Sequence, residues 1–260
     1  MDLGLRGKVV LIVESFEPYA RELIRAVQRE GALAVLCKKN AAEDALGADA
    51  QVWQDLCDPD ACTVLRDDIL GRFGRLDAVI FHQQTAQPAS LLQMDAAQFQ
   101  RGLLPARAAF VCCKVFGAYL GSQVHGGAMV LVTSVHDEKP NGSDFAHSVA
   151  QGMMENLVME AAMEYGEDGV RVNQIALGAM QGDAERFPSG ITTFYEGARF
   201  KVPGGRLGTP ADYAALALFL IGGGSGFLNG ARVRMDGGMT LHYVDPKANY
   251  RAWRASEEGR

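Results

Sequence analysis

The chain has 260 residues, 48% of them hydrophobic and 22% charged, with a formal net charge of −6. That is enough apolar material for one α/β domain with a full core, and the interspersed charges of both signs exclude a basic nucleic-acid footprint. The longest apolar run, near Ala214–Ile221, is too short to span a bilayer, and Met1–Gly7 holds no signal-peptide core, so a cytoplasmic protein with no membrane partner is expected.

Taken in order, Val9–Val13 is an apolar run suited to a strand buried on both faces of a parallel sheet. Pro18 suits the first turn of a helix, along which Leu23, Ile24 and Val27 form a stripe. The turn between them reads VESFEPYA and contains no glycine; Glu14 and Glu17 place carboxylates where the free N–H groups of a helix terminus otherwise receive a phosphate. Leu33–Cys37 is a second strand, followed by Lys38 and Lys39, which read either as solvated lysines or as a phosphate clamp. Val52 marks a short third strand. Val64, Leu65, Ile69, Leu70 and Phe73 have helical spacing, and Leu76–Phe81 returns to strand.

Asp95 to Leu120 reads as helix, broken or kinked at Pro105. Ala128–Thr133 is a strand, Phe145–Tyr165 a long helix and Val170–Ala176 a strand. Met153, Met154, Met159 and Met163 read as ordinary packing, with an interface as the alternative. The irregular stretch 181–205, with Phe187, Phe194, Tyr195 and Phe200, reads as a lid, and Pro210–Ile221 and Ala231–Met235 close the pattern as helix and strand. Strict β/α alternation implies a doubly wound parallel sheet flanked by helices over residues 1–240. The tail 241–260 carries Tyr243, Tyr250 and Trp253 beside Arg251 and Arg254, which is typical interface material. The five cysteines lack metal-ligand spacing and are expected to be reduced; no metal site is expected.

Several late motifs resemble the short-chain dehydrogenase/reductase (SDR) family. Val170-Arg171-Val172-Asn173 with Ile175-Ala176-Leu177-Gly178 is similar to its sixth strand and turn, Arg206 to Pro210 to its R-x-G-x-P segment, and Asn229-Gly230 with Asp236-Gly237-Gly238 to its closing motif. Asp55 and Asp58 stand where the family has D-x-x-D. The resemblance implies a Rossmann-like fold, and it also locates the functional positions, which depart from the family one after another. The glycine-rich turn falls on Val13, Glu14, Pro18 and Ala20, and N-N-A-G on Phe81, His82, Gln83 and Gln84. The fourth-helix asparagine falls at Pro105 or Ala106, and the nicotinamide-contacting threonine on Gly182. Of the catalytic serine, tyrosine and lysine, Ser134 is kept while His147 and Gln151 replace the other two; glutamine supplies no positive charge to lower a neighbour's pKa.

The resemblance therefore implies no cofactor-binding and no hydride-transfer residues in this chain, with Ser134, His147 and Gln151 vestigial. The leading expectation is a non-catalytic SDR-fold subunit in a hetero-oligomer, most simply a heterotetramer, with an active SDR chain that binds NAD. The SDR of anaerobic toluene degradation, which oxidises a hydroxyacyl-CoA thioester and contains inactive subunits, is the model for this expectation. The competing expectation is a cofactor-independent isomerase, lyase or dehydratase in which Ser134 and His147 form a hydroxyl–imidazole pair oriented by Asp144 or Asp137. An ordinary NADP-dependent reductase is the third.

Overall fold

The computed structural model describes residues 2–14, 16–38, 46–53, 55–85, 87–140, 144–182 and 202–241. Seven parallel strands form one sheet in the order β3-β2-β1-β4-β5-β6-β7. They are β1 (Val9–Glu14), β2 (Leu33–Lys38), β3 (Ala50–Trp53), β4 (Ala78–His82), β5 (Gly127–Ser134), β6 (Val170–Leu177) and β7 (Arg232–Met235). The doubly wound sheet expected from the alternation is present. The path runs outward through β1, β2 and β3, then returns to β4 beside β1, so the topological switch point lies between β1 and β4.

Alternate residues of each strand feed two separate cores, because side chains change face at every step. Val9, Leu11, Val13, Val79, Phe81, Met129 and Leu131 pack under α2 (Pro59–Phe73), α4 (Leu104–Cys112) and α6 (Phe145–Tyr165). Val10, Ile12, Ile80, Val130, Val132 and Ile175 pack under α1 (Glu17–Arg29) and α7 (Pro210–Ile221). By the same parity, Glu14 follows Ile12 and His82 follows Ile80 on the α1/α7 side.

The helix breaks follow from local chemistry. The helical stretch from Asp95 stops at Gly102 in α3 (Ala96–Gly102), and α4 restarts with Pro105 in its first turn, where a missing N–H costs nothing. A π-helical turn, Cys113–Gly117, then leads into α5 (Ala118–Gly121). By composition 96–121 is long and apolar enough to cross a membrane. In the fold, however, Ala106, Ala109, Cys112, Phe116 and Leu120 are buried core. Helix α2 is capped by the Asp58 carboxylate and ends at Gly74, whose φ of 71° suits a residue without a Cβ.

The late motifs turn out to be backbone fasteners. Asn173 donates to the Leu228 carbonyl at 2.8 Å and accepts from the Ala231 N–H at 2.9 Å. Asn229 accepts from the Val172 N–H and donates to the Ala162 carbonyl. Arg171 satisfies the carbonyls of Leu220, Gly222 and Ser225 at the end of α7; its burial lowers its pKa. Thr209 and Asp212 form a capping box at the start of α7, and Arg206 grips the same carboxylate, holding Asp212 well below the usual range. Asp236 accepts from Gly238 and Thr240 and folds the chain back after β7.

One sequence reading changes and another lies outside the described residues. Of the α6 methionines only Met154 is buried; Met153, Met159 and Met163 are exposed, because the buried stripe runs through Ala150, Met154, Val158 and Ala161. Met154 accordingly faces the core and does not belong to an interface face. The lid reading rests mostly on residues outside those described, as do Lys39, Phe187, Phe194, Tyr195, Phe200 and the tail from residue 242.

Gly178 marks a point where β6 meets the turn after β7. A Cβ there would lie 2.4 Å from Asp236 Cβ and 2.7 Å from its Cα. Gly178→Ala is expected to lose roughly 1–3 kcal/mol by overpacking, read as a lower urea midpoint with an unchanged slope.

Candidate functional site

Two groups of side chains gather at the C-terminal edge of the sheet. The first sits at the switch point. Glu14 and His82 are directly paired across β1 and β4, and both side chains are fully buried, with Glu14 Oε2 2.6 Å from His82 Nδ1. The other carboxylate oxygen accepts the Phe16 N–H at 2.9 Å. Tyr19 from α1 stacks over the His82 ring at 6.0 Å between centroids, and Tyr213 from α7 meets both Tyr19 and His82 edge-on or tilted at 5.5 and 5.9 Å. Phe16 packs edge-on against Tyr19 at 4.9 Å. A Cβ on Gly182, beyond β6, would come within 3.0 Å of the same ring, so Phe16 reaches across to that loop. The Tyr19 hydroxyl donates to the Gln181 carbonyl at 3.4 Å.

This arrangement corrects the expectation that Glu14 and Glu17 cap α1. Phe16 occupies the N-cap position without a side-chain cap, and its carbonyl accepts from Tyr19 and Ala20. Glu17 instead pairs with Arg21 at 2.6 Å on the exposed face, one helical turn along. Glu14 turns inward to His82. Among the described residues of this turn, the Phe16 N–H is taken by Glu14, the Tyr19 N–H turns to the Phe16 carbonyl and Pro18 has none, which leaves the Glu17 N–H. Val13, Phe81 and Ala20 are buried core, while Gln83 and Gln84 lie half-buried after β4.

The second group lies at the end of β5. The Ser134 N–H donates to Gln151 Oε1 at 2.9 Å, which ties α6 to the strand end. Gln151 Nε2 lies 3.5 Å from His147 Nδ1. The Ser134 hydroxyl meets neither of these. Its Oγ lies 3.1 Å from Nδ1 of His136, a residue that sequence reading did not single out, and also accepts the His136 N–H at 3.3 Å. The expected Ser134–His147 pair is therefore replaced by Ser134–His136, because the short helical turn Val135–Asp137 folds His136 back over the serine. The rings of His136 and His147 meet edge to face at 5.4 Å. Burial lowers the pKa of His136, with Asp137 and Asp144 acting in the opposite direction.

Both acids also bind groups outside the imidazoles. Asp144 uses one oxygen on the His147 N–H, capping α6, and the other on the Gln87 N–H. Asp137 receives Arg232 through two contacts, and Gln174 Nε2 at 2.9 Å. The only sequence signal for His136 was its place two residues after Ser134, and a histidine at that spacing is unremarkable until a turn closes it. Lys38 is half-buried at the end of β2; no group of three metal-ligating side chains occurs among the described residues.

Comparison with known proteins bears on this site. The family model described as enoyl-(acyl carrier protein) reductase matches residues 19–240. An uncharacterised oxidoreductase of Mycobacterium tuberculosis is 28% identical over 253 residues, covering 91% of this chain and 93% of the relative. The 3beta-hydroxysteroid dehydrogenase 1 of Eggerthella lenta is 28% identical over 255 residues, covering 92% and 95% respectively. A crystal structure of a short-chain dehydrogenase/reductase from Burkholderia xenovorans overlays with a TM-score of 0.82 at 24% identity, covering 92% of this chain and 98% of that one. The chain belongs to the short-chain dehydrogenase/reductase family.

The Glu14–His82 contact yields a stability test. Removing one partner of a buried pair strands the other, so Glu14→Ala is expected to cost about 3–5 kcal/mol. Replacing both, Glu14→Leu with His82→Leu, is expected to recover most of that loss, since an apolar pair needs no partner. Urea denaturation of the single and double variants measures both effects.

Proposed function

We propose that this chain is an SDR-fold subunit that is non-catalytic as a dehydrogenase, incapable of nicotinamide-dependent hydride transfer by itself, and that it assembles with a catalytically intact relative. The observation that carries this reading is the buried Glu14 carboxylate at the switch point. A dinucleotide's pyrophosphate needs free N–H groups and close backbone approach at that turn. Here Glu14 holds one N–H, Pro18 lacks another, and Phe16 spans the cleft to Gly182. A nicotinamide dinucleotide does not fit these residues. At the proton-transfer position, Gln151 is engaged with the Ser134 backbone and offers no charge.

The assembly half of the reading draws on the outer sides of α4 and α6. Leu104, Phe110, Met153, Met159 and Met163 are exposed there, an apolar surface that helix-to-helix association would bury. The partner would supply the NAD site and the active residues, and the complex would be a heterotetramer. A hydroxyacyl-CoA thioester is the substrate class proposed for the complex.

Calorimetric titration is expected to detect no micromolar affinity for NAD(H) or NADP(H); such affinity would overturn the reading of the cleft. The double variant His147→Tyr with Gln151→Lys is expected to remain without dehydrogenase turnover in isolation, since a rebuilt proton donor does nothing without a bound nicotinamide. For assembly, co-expression with the candidate partner followed by intact-complex mass spectrometry is expected to show a mixed oligomer. A chain that stays homo-oligomeric, with partner activity indifferent to its presence, would rule the subunit role out.

A further inference from the structure

The corner around Ser134 carries chemistry that hydride transfer does not use. The Gln151 amide can take only one orientation there. The Ser134 N–H requires an acceptor, so Oε1 faces it, and the NH₂ group is left facing His147 Nδ1. An NH₂ group only donates, so His147 Nδ1 is the acceptor and its ring proton lies on Nε2. His147 is thus a donor ring. His136 is the ring whose nitrogen meets the hydroxyl, 3.1 Å away.

The surrounding groups narrow the electrophile. Among the described residues, the titratable and charged groups about His136 are Asp137 on its own turn, Asp144 and His147 from α6, and Arg232 from β7 through Asp137. Asp137 is neutralised by Arg232, and both oxygens of Asp144 accept backbone N–H groups. What remains is a hydroxyl, two imidazoles and an amide, which suits a neutral carbonyl rather than a phosphate. Burial lowers the pKa of His136 against the pull of Asp137 and Asp144, which favours the neutral ring that a base requires.

We propose that Ser134 and His136 form a nucleophile–base pair that accepts an acyl group from an activated ester or thioester. Oγ attacks the carbonyl carbon while its proton passes to His136 Nδ1. Collapse of the adduct breaks the ester or thioester bond, and the departing alkoxide or thiolate takes that proton, leaving an acyl-serine. Water activated by the same ring then releases the carboxylic acid and restores the serine. This proposal stands on the Ser134 corner alone; it leaves the loss of hydride transfer and the assembly reading as they are and adds an acyl-transfer activity to a chain that is inactive only as a dehydrogenase.

The test treats the full chain with 4-nitrophenyl acetate and follows nitrophenolate release, locating the acetyl group by peptide mass spectrometry. Acetylation is expected at Ser134, and Ser134→Ala is expected to abolish it. His136→Phe is expected to slow it roughly 100-fold, and His147→Phe far less. The rate is expected to rise with pH and level off with a midpoint below about 6.5, the ordinary imidazole value. Acetyl groups confined to lysines or Cys57, or an undiminished rate in His136→Phe, overturn the proposal. If His136→Phe does not fold, His136→Gln keeps a polar group against Ser134 and removes the base. Independently, Ser134→Cys is expected to react with iodoacetamide at lower pH than the same variant lacking His136; equal pH profiles overturn the pair.

Discussion

The buried contact between Glu14 and His82 governs the upper edge of this molecule. A carboxylate fully removed from water needs a partner within hydrogen-bond reach, or its desolvation would dominate the local energetics. Strand register supplies that partner by setting Glu14 opposite His82. Once the carboxylate faces inward, its second oxygen accepts the Phe16 N–H at the start of α1. Phe16 is then directed toward Gly182, and Tyr19 and Tyr213 cover the imidazole. One pair of residues thereby changes the conformation, the charge and the open space of the crevice where ligands of open α/β sheets normally lie.

The motifs that carry the family resemblance have a different physical basis. Asn173 and Asn229 bind backbone groups just before the β6–β7 ladder begins, Arg171 those at the end of α7, and Asp236 those after β7. These are debts of the fold itself, present whatever chemistry the cleft performs. Cofactor and proton-transfer positions answer to a ligand, and with different residues there the sheet still closes. A chain can therefore keep the family's scaffold, overlaying with a TM-score of 0.82, whatever residues line its crevice.

The end of β5 shows the same separation within a few residues. Gln151 acts as a fastener between α6 and the strand, and in doing so it fixes its own amide orientation and the tautomer of His147. The serine hydroxyl, freed from that side, is claimed by His136. Residue identity alone suggested one histidine; the turn geometry selected the other.

Periodicity and punctuation in the sequence determined much of this protein. The apolar runs at Val9–Val13 and Ala128–Thr133 read as buried strands, the alternation with amphipathic segments implied a doubly wound sheet, and Pro105 marked the break between α3 and α4. The positions of Ser134, His147 and Gln151 were legible through spacing. What tertiary structure decided was partnership. Glu14 and His82 lie 68 residues apart, and nothing local in either segment names the other; only strand register brings them together. His136 became a partner of Ser134 through one short turn, and the α6 methionines divided between core and surface by the rotation of a packed helix. Local sequence specifies backbone preference and burial tendency over a few residues, whereas contacts between side chains on different elements follow from register and packing, which the whole chain sets at once.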